Sequence, residues 1–411
     1  MSENAFDVLK SRGLIAQATD EDKIRELLGG AGISFYCGFD STASSLHAGS
    51  LVPIMAMMHL QRAGHHPIAL VGSGTTMIGD PTGKEEMRKM LDEESIRAFG
   101  RGVHAQLGHF LGFEAGRATP VDNADWLLGL SYIEFLREIG RHFSVNRMLS
   151  AEAYKQRMER DTGLSFIEFN YQILQAYDYL HLSREKNCML QLGGDDQWGN
   201  ILAGVGLNRR VDGREVQAMT FPLLTTSSGR KMGKSEQGAV WLDEELTPPY
   251  DFYQYWINCE DPDVGRNLRT FTFLPLEEIE RLDALEGAEL REAKRVLAFE
   301  VTTIVHGEEA ARAAEDATKA AFGGGGDLDA MPTTAFPSAQ LAEGLDVLGL
   351  FAEVGLTGSR GESKRLLKQG GVYVNDERVT DMQASVGEAD LDDGAILLRA
   401  GKKKYHRIVV E

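Results

Sequence analysis

Three basic residues are concentrated in the segment GRKMGKSEQ of a 411-residue chain that carries 43 Lys/Arg and 62 Asp/Glu, a net charge of −19. Glycine and serine surround Arg230, Lys231 and Lys234 and no apolar period runs through the segment, which predicts a mobile, solvent-facing loop rather than a helix or strand. Lysines on such a loop can close over a phosphate group. Spacing alone favours a solubilising surface loop, because short lysine motifs are common by chance.

A second polar segment, DSTASSLHAGS, follows the apolar run SFYCGF, which predicts a buried strand at residues 34–39. Ligands bind where a parallel strand ends and a crevice opens toward the next helix. Gly38 and Gly49 would let the backbone approach a ligand, while Thr42, His47 and Ser50 offer hydrogen bonds to phosphate. The alternative is an ordinary joint between strand and helix, in which Ser and Thr only cap the helix.

The stretch GDPTGKE has the composition of a phosphate-binding loop but not its spacing. Gly79 to Lys84 is one residue short, Pro81 lacks a backbone donor, and Glu85 replaces the Ser or Thr that binds magnesium, so we exclude a P-loop. Asp80 ends a strand region and could bind an ammonium group. A turn-forming Asp-Pro pair explains this residue equally well when it is taken alone.

The clearest helical pattern runs through LSFIEFNYQILQAYDYLHL, where apolar residues recur at spacings of three or four and predict one apolar face: Phe166, Phe169, Ile173, Tyr177 and Leu180. Tyr171, Gln175 and Asp178 share another side of the same helix. A phenol, an amide and a carboxylate in one line can bind an amino acid. Periodicity alone favours the alternative, a solvated polar face.

The segment QLGGDDQWGN follows a third predicted strand. Gly193 and Gly194 permit close approach of the backbone, and Asp196 and Gln197 could hold ribose hydroxyls. A glycine turn with a capping Asp accounts for the segment equally well. The sequence contains no Ser/His/Asp order, no HExxH and no clustered Cys/His spacing, so it predicts neither a hydrolase nor a protein-bound metal.

The elements around these segments alternate between strands and helices. Residues 34–39, PIALVGS and CMLQLGG are predicted strands, and helices are predicted in LVPIMAMMHLQRAG, in GNILAGVGLNRRV and from residue 85 to about 111. This order predicts a parallel α/β sheet with helices on its faces. From residue 248 to 321 the pattern is mostly helical and predicts an α-helical domain.

The chain's end differs in charge from the rest. Residues 355–411 hold 10 basic and 9 acidic side chains, whereas the preceding residues are strongly acidic. AFGGGGDLDAMPTTAFP precedes this end and predicts a linker to a separate domain. The apolar runs are too short for a membrane span, the N-terminus lacks the features of a signal peptide, and the three cysteines are scattered. We therefore expect a cytoplasmic protein.

Taken together, these segments resemble the bacterial tyrosyl-tRNA synthetases, a family of class I aminoacyl-tRNA synthetases. YCGFD with HAGS is similar to the first family signature and KMGKS to the second, which is normally KMSKS. MIGDPTGK, FSVNRML, NYQILQAYD and QLGGDDQWGN are similar to the longer blocks between them. Two residues depart from the family pattern, Ser50 for a histidine and Gly233 for a serine. We expect a changed phosphate or ribose contact from Ser50 and a more mobile loop from Gly233.

The resemblance implies a Rossmann-like catalytic domain that activates tyrosine with ATP and Mg²⁺ and then transfers it to the 3′ end of tRNA(Tyr). Tyrosine's phenol would lie between Tyr36 and Asp178, and its ammonium group near Asp80, Tyr171 and Gln175. Stabilisation of charge on the phosphates would come from Thr42, His47, Lys231 and Lys234. The ATP site implied by the resemblance comprises Cys37, Gly38, Asp40, Thr42, His47, Gly49, Ser50, Gly194, Asp196, Gln197, Lys231, Lys234 and Ser235.

For the rest of the chain, the resemblance implies a homodimer and a small α+β RNA-binding domain of the type first known from a ribosomal small-subunit protein. In the tail, Ser359 and Glu362 have capping-box spacing before a short basic helix that Gly370 and Gly371 can end. Its cations would face RNA phosphates: Arg360, Lys364, Arg365 and Lys368. The expected divisions are 1–226 (with a helical insert at about 85–150), 227–325, a linker at 326–346, and 347–411.

Two other functions compete with this one. Another nucleotidylyltransferase with an HxGH signature would share the first signature and the chemistry at the α-phosphate, but it would lack Tyr36 with Asp178. An RNA-binding protein without enzymatic activity would explain the basic tail but neither the lysine pair nor the glycine-lined crevice.

Overall fold

The computed structural model describes residues 3–80, 91–150, 152–159, 163–229, 231–235, 238–323, 332–392, 394–401 and 404–410. The chain divides into two compact units, each formed from two stretches of sequence. The first contains Met1–Leu246 and Cys259–Ala293, and the second contains Thr247–Asn258 and Lys294–Glu411. In the described part of the chain, no helix is long and apolar enough to cross a membrane.

The first unit is built on a six-stranded sheet in the order β1-β6-β5-β2-β3-β4. Its strands are β1 (Gln17–Ala18), β2 (Ser34–Phe39), β3 (His66–Val71), β4 (Thr119–Asp122), β5 (Cys188–Gly194) and β6 (Gln217–Phe221). All neighbours run parallel except β1, which is antiparallel to β6. The predicted parallel sheet is confirmed, and β2 and β5 have the predicted bounds because buried parallel strands are continuous apolar runs.

The helices up to residue 323 are α1 (Ala5–Ser11), α2 (Glu21–Gly29), α3 (Leu51–Arg62), α4 (Ser73–Thr76), α5 (Glu93–Leu111), α6 (Ala124–Leu127), α7 (Tyr132–Glu138), α8 (Val145–Leu149), α9 (Glu152–Met158), α10 (Phe166–Lys186), α11 (Trp198–Asp212), α12 (Pro249–Ile257), α13 (Val264–Phe271), α14 (Leu276–Asp283), α15 (Leu290–His306) and α16 (Glu308–Gly323). The mostly helical character predicted for residues 248–321 is confirmed.

The helix predicted from residue 85 begins later. Residues 85–90 lie outside the described ranges, and α5 starts at Glu93. The side chain of Asp92 accepts a hydrogen bond from the backbone N–H of Ser95 (2.8 Å) and so caps the helix. A capping Asp favours a helix start because its side chain accepts from a first-turn N–H. In a continuing helix, the carbonyl of an upstream helical residue would accept from that N–H instead.

The second unit combines α12, α15 from Lys294 onward, and α16 with a five-stranded sheet in the order β12-β11-β14-β15-β9. Only β15 and β9 pair in parallel. The remaining elements are β7 (Lys234–Ser235) and β8 (Gly238–Ala239) in the first unit, and β9 (Thr333–Phe336), α17 (Ser338–Glu343), β10 (Leu345–Asp346), α18 (Val347–Glu353), α19 (Arg360–Lys368), β11 (Val372–Val374), β12 (Glu377–Arg378), β13 (Ser385–Val386), β14 (Ala395–Ala400) and β15 (Lys404–Val410).

The basic helix α19 has the predicted place but only half of the predicted capping box. The Ser359 side chain accepts from the backbone N–H of Glu362 (3.3 Å), as expected. The Glu362 carboxylate instead accepts from the N–H of Gly358 (2.7 Å), one residue before the cap. At the other end, Gly370 has φ +75°, and the N–H of Gly371 donates to the carbonyl of Leu366 (2.9 Å), so the glycine pair ends the helix as predicted.

Candidate active site

The phenol of Tyr36 lies in the middle of the sheet, within a buried cluster that includes Tyr179. β2 places this residue between Ile68 of β3 and Gln191 of β5, and its side chain is only 2% exposed. Within the described residues, neither its hydroxyl nor the side-chain oxygen of Gln191 has a hydrogen-bond partner. Burial raises the pKa of Tyr36 well above its usual value, and the nearby Asp178 raises it further. An unpaired buried hydroxyl is costly, so this arrangement favours a ligand with a polar group.

Asp178 is the second buried polar group here and is also 2% exposed. One carboxylate oxygen accepts from Nε1 of Trp126 (2.8 Å), and the other accepts from Nδ2 of Asn123 (3.0 Å). Burial raises the pKa of Asp178 to about 7, while these two hydrogen bonds lower it and the charge of Asp122 raises it. The two donors therefore hold a buried carboxylate that keeps acceptor capacity for a ligand hydroxyl.

Asn123 and Trp126 were not identified from the sequence. Both follow the carboxyl end of β4, a strand whose residues TPVD lack the apolar run that revealed β2 and β5. Asn123 is also fixed on its other side, because its Oδ1 accepts from the N–H of Gly74 (2.8 Å). The indole of Trp126 stacks on His181 of α10, with ring centroids 4.3 Å apart. The position of Asn123 and Trp126 directly after a strand of the sheet was the one signal that could have identified them.

The polar line on α10 is buried rather than solvated. Tyr171 and Asp178 both belong to the buried side of the helix, whereas Phe166, predicted to lie on the apolar face, is 68% exposed. Ile173 and Leu180 are buried as predicted. Phe166 stands at the first position of α10, next to its capping residue, where one side of the helix has no neighbouring turn to pack against. On this polar side Asp178 contacts Asn123 and Trp126, which follow β4, and periodicity alone does not reveal such a contact.

Asp80 is the acidic residue predicted to bind an ammonium group. Its carboxylate is buried and accepts from Nε2 of Gln197 (2.7 Å). Burial raises the pKa of Asp196, and the charge of Asp80 raises it further, so the two carboxylates are close enough to interact. The side-chain oxygen of Gln175 is buried and, in the described part of the chain, has no hydrogen-bond partner. The two interacting carboxylates of Asp80 and Asp196 suit a ligand ammonium group.

The residues predicted to bind ATP include two glycines that present backbone rather than side chain, Gly38 and Gly194. Gly38 is the exposed residue in a strand whose other positions are buried or half-buried. An added Cβ on Gly194 would lie 2.6 Å from Oδ1 of Asp196, so a side chain at this position would displace the carboxylate of Asp196. Burial raises the pKa of the Cys37 thiol to about 12, so this group stays protonated at neutral pH. The turn after β2 carries three half-buried residues of the predicted ATP site: Asp40, Thr42 and Ser50.

His47 joins this turn to the segment that carries the lysines. Its Nδ1 accepts from the N–H of Gly49 (3.0 Å), which leaves the ring proton on Nε2 as a donor. The residues before and after His47 form backbone hydrogen bonds with residues that follow the lysine segment. The N–H of Ala48 donates to the carbonyl of Val240 (2.7 Å), and the N–H of Leu242 donates to the carbonyl of Leu46 (2.9 Å). The two signature segments are therefore neighbours in space.

The lysine segment is more ordered in its backbone than predicted. β7 and β8 pair antiparallel, so the expectation of a loop without strand was wrong for these residues. Met232 and Gly233 are buried, so the expectation of full solvent exposure was also wrong. Composition misses such contacts because they are made by backbone groups, which every residue carries. Lys231 is exposed, and the side chains of Lys234 and Ser235 lie outside the described part, as does Arg230.

The four cations predicted to bind RNA all lie on α19 and are exposed: Arg360, Lys364, Arg365 and Lys368. Arg360 pairs with Asp346 at 3.1 Å. A cleft of about 320 Å³ opens between Arg360 and Lys364, with Leu348 and Met382 among its lining residues. Among the described residues, no group of three or more His, Cys, Asp or Glu side chains could hold a metal ion.

Comparison with known proteins agrees over nearly the whole chain. The family model described as tRNA synthetases class I (W and Y) matches residues 30–323. A second model, the tyrosine–tRNA ligase SYY-like C-terminal domain, matches residues 328–408.

Curated relatives and solved structures point the same way. A tyrosine–tRNA ligase of Clostridium botulinum (strain Loch Maree / Type A3) is 55% identical over 409 residues, covering 99% of this chain and 100% of the relative. One of Desulfatibacillum aliphaticivorans is 52% identical over 428 residues, covering 100% and 99%. A C-terminally truncated mitochondrial tyrosyl-tRNA synthetase of Aspergillus nidulans superposes with a TM-score of 0.71 at 30% identity, covering 78% of this chain and 95% of that structure.

Proposed function

Because this chain belongs to the tyrosine–tRNA ligases among the class I aminoacyl-tRNA synthetases, we propose that the crevice at the carboxyl ends of β2, β3 and β5 is where it activates tyrosine. The enzyme uses ATP as a substrate to form tyrosyl-adenylate and pyrophosphate, and then transfers tyrosine to the 3′ end of tRNA(Tyr). The observation that carries the proposed site is the buried hydroxyl of Tyr36, which has no hydrogen-bond partner among the described residues, beside the doubly hydrogen-bonded Asp178.

Tyrosine fits this pocket by chemistry. Its hydroxyl donates to Asp178 and accepts from Tyr36, so each buried polar group gains the partner that it lacks or can still take. Its ammonium group lies among Asp80, Tyr171 and Gln175, where the acidic surroundings compensate a buried positive charge. Phenylalanine leaves the buried Tyr36 hydroxyl without a ligand partner and Asp178 without the further hydrogen bond that it can accept, and the pocket rejects it for that reason.

Activation needs no general base, since the tyrosine carboxylate is already a nucleophile. It attacks the α-phosphorus of ATP, the bond from that phosphorus to the bridging oxygen of pyrophosphate breaks, and pyrophosphate leaves with the electron pair. Thr42 and the Nε2–H of His47 donate to the phosphates from one side, and Lys231 and Lys234 approach from the other. Mg²⁺ would accompany ATP as part of the substrate and would supply neutralisation of the triphosphate charge. Gly38, Gly194 and Asp196 border the adenosine.

The C-terminal part of the second unit binds tRNA in this proposal. The exposed cations on α19 contact phosphates, and the cleft between Arg360 and Lys364 lies on the same face. The predicted linker at 326–346 was too long, because β9 pairs with β15 and both Phe336 and Leu341 are buried in the core of the C-terminal sheet. We therefore place the start of the RNA-binding domain at Thr333, with the catalytic domain at 1–226 and the helical domain at 227–325. The cytoplasm is the proposed compartment, on the ground of three free cysteines.

A homodimer completes the proposal, formed through the region between β4 and α10. Exposed large apolar side chains are concentrated there: Leu128, Tyr132, Ile133, Leu136, Val145, Met158, Phe166 and Ile167. Apolar exposure on this scale favours a covered surface, and a second copy of the chain is the partner that we propose. Phe166→Asp should lower the mass seen by light scattering to that of one chain, whereas Leu223→Asp, at an exposed apolar residue elsewhere, should leave the dimer intact. An intact dimer in Phe166→Asp would contradict this interface.

The activity is tested by exchange of labelled pyrophosphate into ATP. Exchange should require tyrosine and should be far weaker with phenylalanine at the same concentration. A nucleotidylyltransferase with another substrate would show no dependence on tyrosine, and an RNA-binding protein without enzymatic activity would show no exchange. Either result would contradict the proposed site.

A further inference from the structure

Two glycines meet where the lysine segment lies against the turn that carries His47. A Cβ added to Gly233 would lie 2.5 Å from the backbone nitrogen of Gly49 and 2.9 Å from Nδ1 of His47. A Cβ added to Gly49 would lie 2.9 Å from the carbonyl oxygen of Met232. Ordinary carbon contacts begin near 3.4 Å, so neither position accepts a side chain while the two segments touch.

The turn cannot easily move away from such a side chain. The nitrogen that a Cβ on Gly233 would strike is the one whose N–H donates to Nδ1 of His47. Shifting Gly49 would break this hydrogen bond, which keeps the proton on Nε2. Gly233 itself is also held by backbone hydrogen bonds. The N–H of Val240 donates to the carbonyl of Gly233 (2.9 Å), and the N–H of Ala48 donates to the carbonyl of Val240 (2.7 Å). The contact is therefore formed by backbone on both sides.

We propose that Gly233 is a positioning residue for tyrosine activation, because its missing side chain lets the lysine segment dock on the turn from His47 to Gly49. Docking holds Lys231 and Lys234 across the triphosphate from Nε2 of His47. This inference rests on the proposed function of those two lysines. It gives Gly233 the opposite effect to the one expected from the sequence: the glycine permits a close contact rather than loosening the loop.

The test compares two alanine variants with the same backbone strain. Gly233 has φ +81° and Gly229 has φ +84°, a conformation that a residue with a side chain adopts at a cost. A Cβ on Gly229 has no described atom within 4 Å, whereas one on Gly233 meets the turn. Gly229→Ala therefore reproduces the strain without the collision. Each variant is measured for the single-turnover rate of tyrosyl-adenylate formation, for tyrosine affinity and for its rate of cleavage by trypsin at Arg230, Lys231 and Lys234.

Gly233→Ala should lower the activation rate about 10²-fold, since displacing a catalytic group by about an ångström has an effect of this size. Its tyrosine affinity should match the wild type, which also shows that the fold is intact, and trypsin should cleave the segment faster. Gly229→Ala should stay close to the wild type in all three measurements. Equal activation rates in the two variants would overturn the proposal. Faster trypsin cleavage of Gly233→Ala together with a wild-type activation rate would also overturn it. A failure of the proposed function itself would appear differently, as wild-type protein that forms no adenylate.

Discussion

The proposed crevice has one side for tyrosine and one for the phosphates of ATP, and the two sides are built in different ways. On the tyrosine side, Tyr36 and Asp178 are buried, and Asn123 and Trp126 fix the carboxylate with two hydrogen bonds. On the phosphate side, glycine backbone forms the surface, and Lys231 is exposed. Buried polar groups in fixed positions suit recognition of a neutral hydroxyl, because a ligand without the hydroxyl leaves part of their hydrogen-bonding capacity unused at a cost in binding free energy. Exposed cations suit a charge that grows only during the reaction.

In the proposed function, one side of the crevice acts when the amino acid binds and the other acts when the bound amino acid reacts with ATP. The proposed tyrosine side should determine which amino acid binds, because its carboxylate is held in place by two hydrogen bonds. The phosphate side should determine how fast the bound amino acid reacts, because its donors and cations act on charge that develops at the phosphates. Substitutions on the two sides should therefore change different measured quantities.

The largest effect is expected on the phosphate side. Lys234→Ala should lower the single-turnover rate of adenylate formation by about 10²–10³-fold, since it removes one strong electrostatic donor to the transition state. Tyrosine affinity should not change. Lys10→Ala is the matched control, because this exposed lysine pairs only with Glu21 on the surface among the ion pairs of the described residues. An unchanged rate in Lys234→Ala would remove this lysine from the mechanism.

The next effect is expected in selectivity. Asp178→Asn should reduce the ratio of kcat/KM for tyrosine over phenylalanine by about 10–10²-fold, because a hydrogen bond to a charged group contributes ~1.5–3 kcal/mol. Tyr36→Phe removes a neutral partner, and we expect a reduction of about three- to tenfold. Pyrophosphate exchange with each amino acid supplies both ratios. If neither ratio falls, the hydroxyl of tyrosine does not lie between these residues.

A smaller effect is expected on charging. Replacing Arg360, Lys364, Arg365 and Lys368 by glutamine in the full chain should leave pyrophosphate exchange unchanged, since activation does not involve tRNA. Charging of tRNA should weaken, and its dependence on salt should become shallower by about 0.7–0.9 for each phosphate group that the helix no longer binds. Replacing exposed lysines outside this helix, such as Lys23 and Lys186, controls for net charge. Wild-type charging at moderate salt would exclude this helix from tRNA binding.

The smallest effect is a shift in pH dependence. Accepting the tyrosine hydroxyl requires ionised Asp178, whose pKa is raised to about 7 by burial, so tyrosine affinity should fall as the pH drops below 7. Trp126→Phe removes a donor that lowers this pKa. The midpoint of the affinity loss should therefore move upward, by about one pH unit. Equilibrium dialysis across pH 5.5–8.5 measures the shift, and a midpoint that moves downward would contradict the assigned cause.

The sequence allowed prediction of the parts of the fold with a strong apolar pattern. The runs SFYCGF and CMLQLGG lie in β2 and β5 because buried parallel strands need no alternation. β6 has the sequence QAMTF and was missed, since its Gln and Thr interrupt the run although all five residues are buried. The helical residues 165–182 were predicted, but the exposure of Phe166 was not, because periodicity does not say which neighbour covers each side.

The candidate site was predictable where a local motif carries it. Tyr36, Asp80 and Asp178 stood in recognisable segments. Asn123 and Trp126 come from a region without a motif, and their contact with Asp178 depends on how β4 and α10 pack. The contact between Gly49 and Gly233 joins residues far apart in sequence through backbone atoms, which composition does not reveal.

The most direct test measures tyrosine affinity and the single-turnover rate of adenylate formation side by side in Lys231→Ala and Tyr36→Phe. The separation of recognition from reaction predicts a rate lowered by about 10²-fold or more with unchanged affinity in Lys231→Ala. It predicts a selectivity for tyrosine over phenylalanine lowered by about three- to tenfold, at a nearly unchanged rate with saturating tyrosine, in Tyr36→Phe. A loss of tyrosine affinity in Lys231→Ala as large as its loss of rate would contradict the separation of the two sides.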